Sequence, residues 1–66
     1  MSLYDYRESI ELSIKDVGFY ALIMAAMRKA DTDNLELLKE AFPETWEELK
    51  ERYNAPGGFL PGENAE

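Results

Sequence analysis

Apolar residues recur at Leu3, Tyr6, Ile10, Ile14, Val17, Ala21 and Met24, and this spacing of threes and fours keeps one side of a helix apolar from end to end. Ser2-x-x-Asp5 can cap its start, and no proline interrupts the chain before Pro43. The pattern predicts one long helix over about residues 4–29, which at ~1.5 Å of rise per residue would be roughly 39 Å long. Ile10, Leu12 and Ile14 also alternate like a strand followed by a helix capped at Asp16, but the chain offers no second strand to pair with it.

Arg28 and Lys29 lie where cations favour the negative end of a helix, and Asp31-Thr32-Asp33-Asn34 is a cluster of turn and cap formers. A second helix over about 34–42, capped by Asp33 with Glu36 three residues on, carries Leu35, Leu38, Ala41 and Phe42 on one side. Pro43 closes it. A third helix over about 44–54 has Pro43 in its first turn or Thr45 as cap, with Trp46, Leu49 and Tyr53 as its apolar stripe. Asn54-Ala55-Pro56-Gly57-Gly58 stops it, and residues 55–66 form a loop and tail in which Phe59-Leu60 fold back onto the helices.

The segment FYALIMAAM, Phe19 to Met27, is apolar on every side and must be covered on every side. A second stripe there, built on Phe19, Ile23 and Met27, is the face that two short helices can cover through Leu38, Phe42, Trp46, Leu49 and Tyr53, the predicted core anchors. The long stripe remains. Gly18, Ala21 and Ala25 on its flank allow close approach of another helix. The expectation is therefore an all-α fold, one domain over 1–66, in which a long N-terminal helix and two short helices make a small bundle completed by homodimerisation through Ile10, Ile14, Val17, Ala21 and Met24. A compact monomer with exposed N-terminal turns is the competing reading.

Composition sharpens this picture. Sixty-six residues are near the lower limit for an independent core, and chains this short rely on disulfides, metals, partners or dense helix packing. Cysteine and histidine are both absent, which removes disulfides, thiolate or imidazole metal sites, the thiol nucleophile and the commonest general base. Asp31-x-Asp33 begins like a calcium loop, but Leu35, Glu36 and Phe42 occupy positions where ligands and the turn glycine belong. Pro56-Gly57-Gly58 has neither the preceding strand nor the following lysine of a phosphate-binding loop. No catalytic residue, metal ligand or cofactor is assigned. The formal charge of −7, with eight acids and two bases between Asp31 and Glu51, also argues against direct nucleic-acid binding. The uncharged run at Val17–Met27 is too short for a bilayer, which takes about 20 residues. Without a leader-like N-terminus, the expected location is the cytoplasm.

The run AFPETWEELKERYNAPGGFLPGE, Ala41 to Glu63, resembles a segment of small uncharacterised proteins encoded by bacterial phages and conjugative elements, with Trp46, Tyr53 and Pro56-Gly57-Gly58 carrying the match. The resemblance implies a bacterial, cytoplasmic accessory protein and transfers no catalytic or binding residue. The functional expectation is a non-enzymatic interaction protein with a protein partner, most simply a second copy of itself. An acidic effector that occupies a basic host protein as a nucleic-acid mimic is the alternative, and an enzyme of unknown type ranks third.

Overall fold

The structure, a computed structural model, describes residues 2–63. It holds four helices, α1 (Leu3–Ser13), α2 (Phe19–Lys29), α3 (Thr32–Ala41) and α4 (Pro43–Tyr53), followed by a 3-10 turn at Pro56–Gly58. The described residues contain no strand, so the all-α class holds and the strand reading of Ile10–Ile14 falls.

The single long helix does not form. The chain leaves α1 after Ser13 and re-enters a helix at Phe19. Asp16, Val17 and Gly18 are three weak helix formers in succession, and glycine alone costs about 1 kcal/mol relative to alanine in a helix interior. Inside the gap the backbone makes tighter bonds, from Lys15 N–H to Leu12 O at 3.2 Å and from Val17 N–H to Lys15 O at 2.9 Å. Gly18 is extended, with φ −72° and ψ 155°, and caps α2. At the other end of α1, Ser2 Oγ accepts from the Asp5 N–H at 3.2 Å and donates to Asp5 Oδ2 at 3.1 Å, so Ser2 caps the helix as Ser2-x-x-Asp5 foretells.

The α3 cap is Asp31, not Asp33. Its Oδ1 accepts from the Asn34 N–H at 2.8 Å, so α3 begins at Thr32 and Asp33 becomes an acidic residue of the first turn. Phe42 then serves two helices at once: its N–H bonds to Leu38 O at 2.8 Å and its carbonyl accepts from Trp46 N–H at 3.0 Å. Pro43 follows as the first residue of α4, where its missing N–H would have had no partner and its fixed φ suits the helix.

Packing converges on α4, which touches α2, α3 and the 3-10 turn. Met27 (4% exposed) and Leu49 (7%) are the two buried hydrophobic side chains among the described residues. Ile23, Leu38, Phe42 and Trp46 are half-buried around them. Phe19 and Tyr53 are not core anchors: they are 59% and 75% exposed. Phe19 reaches only the edge of the core, where its ring meets that of Phe42 at 6.1 Å, and Tyr53 lies on the last turn of α4. Lys39 Nζ sits over the Trp46 ring, 4.6 Å from its centroid.

The C-terminal segment is clasped to α4 by one guanidinium. Arg52 Nη1 donates to Gly58 O at 2.8 Å and to Glu63 Oε1 at 2.7 Å, Nη2 donates to Glu63 Oε2 at 2.8 Å, and Nε donates to Glu48 Oε2 at 3.2 Å. Glu63 Oε1 also accepts the Leu60 N–H at 2.9 Å, which brings Leu60 against α4 beside Pro43 and Glu47. Gly57 has φ +64°, and a Cβ there would stand 3.0 Å from the Phe59 ring, so both conformation and contact call for glycine.

Two predictions follow from this packing. A Leu49→Ala substitution removes half of the buried pair at a cost of ~2–5 kcal/mol, comparable with the whole stability of so small a core. The variant should have lost most of its helical circular dichroism at 25 °C, whereas Leu37→Ala, on the exposed side of α3, should melt like the parent. The second prediction concerns the clasp. Hydrogen bonding to Arg52, then to the Leu60 N–H, lowers the Glu63 carboxyl from its ordinary 4.5 to about 2. A folded value below the unfolded one means that the clasp contributes fully above the unfolded value of 4.5 and is lost as pH falls through about 2. The side-chain carboxyl resonance of Glu63 should titrate near that lower value, with the Leu60 amide moving in step; a midpoint near 4.5 would mean the clasp is open in solution.

Candidate interaction surface

Every residue from Ser2 to Ala21 is exposed, which includes the whole of α1. None of the three main packing pairs of the fold involves α1. Leu3, Tyr6 and Ile10 nevertheless share one side of it at helical spacing, with Tyr4 and Leu12 also in water. The shape records this detachment. The radius of gyration is 14.0 Å and the longest dimension 43 Å, against about 11 Å of gyration radius for a compact chain of this length. The accessible surface is 5799 Å², where a compact monomer of 7.6 kDa would show about 4,300 Å².

The predicted seam is divided among different places. Ile10 lies on α1 and is 49% exposed, Ile14 is the residue that ends α1, and Val17 belongs to the connection. Ala21 is exposed on α2, and Met24 is half-buried in a cleft against α4 with Tyr20, Glu44, Thr45 and Glu48. These five residues therefore do not form one straight ridge. The break turns α1 into an independent apolar surface and leaves Met24 to the intramolecular packing.

A second apolar surface lies in the body of the molecule. Met27, Leu35, Trp46, Leu49 and Tyr53 floor a groove of about 370 Å³, bordered by Arg28 and Lys50. Its floor is apolar because α2 and α3 both lean on α4 but leave the side carrying Trp46 and Tyr53 open. No acidic side chain lines it. Sequence reading placed Trp46, Leu49 and Tyr53 on one stripe correctly but assumed that the stripe was covered; the spacing was the usable signal, and the coverage was not in it.

The described residues bury no polar or charged side chain and hold no group of three Asp or Glu placed to bind a metal ion. Glu36, Glu47 and Glu48 are engaged by Lys39, Lys50 and Arg52 at 3.2 Å each. No helix among the described residues is long and apolar enough to cross a membrane. Comparison with protein-family models, with curated proteins and with solved structures gives no match for this chain.

Proposed function

We propose that the protein is a non-enzymatic interaction protein that works as a homodimer, with α1 as the element that meets the second copy. The observation that carries this reading is the full exposure of α1 together with its apolar stripe. Large contiguous apolar surface on a small acidic chain is characteristic of an interface. The accessible surface exceeds that of a compact monomer by roughly 1,500 Å², which fits a chain that leaves α1 uncovered. With two buried hydrophobic side chains among the described residues, the core leaves the apolar side of α1 for a partner to cover. An accessory protein of a bacterial mobile element, as the Ala41–Glu63 resemblance implies, is consistent with that role.

The nucleic-acid mimic ranks second. A mimic needs an unbroken row of carboxylates, whereas on α3 and α4 the carboxylates of Glu36, Glu47 and Glu48 are each countered by a nearby cation. Interspersed signs suit a solvated surface better.

Ile10→Glu tests the self-association. A carboxylate buried there on assembly must be desolvated without a partner, at a cost of several kcal/mol per ion, and symmetry imposes it twice. The parent should sediment as a dimer and the variant as a monomer, while Glu40→Lys, on the exposed side of α3, should leave assembly unchanged. Because Ile10 is half exposed within the single chain, the variant should keep the parent's helicity as a monomer. A parent that is monomeric at hundreds of micromolar would refute the proposal.

A further inference from the structure

We infer that the connection at residues 14–18 is a hinge with a second, helical state. When α1 meets a second copy, the hinge closes and joins α1 to α2 as one continuous helix that carries Ile10, Ile14, Val17 and Ala21 in a single line. Closure rests on the self-association proposed above and supplies the conformational step that accompanies it.

The junction is unfinished on the α2 side. Ser2 and Asp31 cap the starts of α1 and α3 with their side chains, and Pro43, which has no N–H, opens α4. At the start of α2, Gly18 offers no side-chain cap, and the first turn holds no acid. The Leu22 N–H reaches Gly18 O at 3.2 Å, but the N–H groups of Phe19, Tyr20 and Ala21 have no acceptor among the described residues. In a continuous helix the carbonyls of Lys15, Asp16 and Val17 stand four residues back and accept all three. The open junction thus leaves donors that the closed one satisfies.

Little else holds the hinge open. Every residue from Ser2 to Ala21 is exposed, so closure gives up no buried side chain, and it replaces two backbone hydrogen bonds, Lys15 N–H to Leu12 O and Val17 N–H to Lys15 O. Ile14 is already in the helical region at φ −90° and ψ −6°. Gly18 has a helical φ of −72°, and its ψ of 155° is what must rotate. No non-glycine residue among those described has a positive φ, so none commits the connection to a left-handed turn. The weak helix formers Asp16, Val17 and Gly18 keep it open in the single chain. The apolar spacing runs on regardless, at intervals of four, three and four from Ile10 through Ile14 and Val17 to Ala21. Closure brings Ile14 and Val17, 80% and 48% exposed, into line with Ile10. A second copy packed along that line buries more in the closed state than in the open one, and this difference is what shifts the equilibrium. A twofold dimer presents the same line from both chains, so both hinges close together.

Two substitutions at Gly18 push the hinge in opposite directions. A Cβ at Gly18 meets nothing within 4 Å, so Gly18→Ala leaves the open form undisturbed. It favours the closed helix about fivefold in each chain, and the dissociation constant of the dimer should fall roughly 25-fold. Gly18→Pro suits the open φ of −72° but removes an N–H and clashes with the Ile14 carbonyl of a closed helix. It should weaken the dimer about tenfold or more while the amide spectrum of α3 and α4 stays that of the parent. In the parent itself, the Cα chemical shifts of Lys15 to Gly18 should move from non-helical to helical values in step with the dimer fraction measured by sedimentation equilibrium. If the parent dimerises while those shifts stay non-helical, or if Gly18→Pro dimerises as tightly as the parent, the hinge is wrong although the self-association stands. A parent that stays monomeric at hundreds of micromolar would overturn both together.

Discussion

The whole fold depends on what one eleven-residue helix can cover. The helix α4 receives α2, α3 and the C-terminal turn, and the one hydrophobic residue it buries is Leu49, 7% exposed. A helix of that length is about 16 Å long, too short to shelter a second layer of elements. Everything not in contact with it stays in water. The exposure of α1 and the open groove beside Trp46 are two consequences of that one limit, and they arise on opposite sides of the same packing problem.

Local devices keep this thin core ordered. Ser2 and Asp31 satisfy orphan N–H groups at helix starts, Phe42 closes α3 and opens α4 with its own backbone, and Pro43 fixes the first turn of α4. Arg52 then ties Glu48, Gly58 and Glu63 into a single guanidinium network. Bidentate carboxylate pairing is the strongest form of such contact, and here it replaces the hydrophobic packing that a longer chain would supply. The turn at Gly57–Gly58, with positive φ at both positions, allows Leu60 to return to α4 within this clasp.

An amphipathic helix with an acidic charge balance and an apolar groove with a basic rim are each unusual on a monomer surface. The break at Ile14–Gly18 sets α1 apart from the helices that line the groove. The connection therefore does more than interrupt a helix. It divides apolar surface that a continuous helix would have laid along one line between a separate, exposed α1 and the packed body of the molecule.

How much of this was legible beforehand follows from what each signal measures. The all-helical class, the starts and stops around Asp31, Pro43 and Asn54–Gly58, and the stripe Trp46–Leu49–Tyr53 were determined by the sequence itself, because caps, prolines, glycines and 3-4 spacing act over a few residues. The break after Ser13 was not legible in periodicity, since Ile10, Ile14 and Val17 keep the helical spacing straight through it; the weak helix formers Asp16, Val17 and Gly18 were the signal, and they outweighed the pattern. Spacing also cannot say whether an apolar stripe is covered. Phe19 and Tyr53 belong to stripes yet lie open, and Met24, on the stripe expected to face a partner, turns towards α4. Burial depends on which elements reach which surface, a property of lengths and crossing geometry rather than of residue type. Only the tertiary arrangement decided that the groove is open and that α1 stands free.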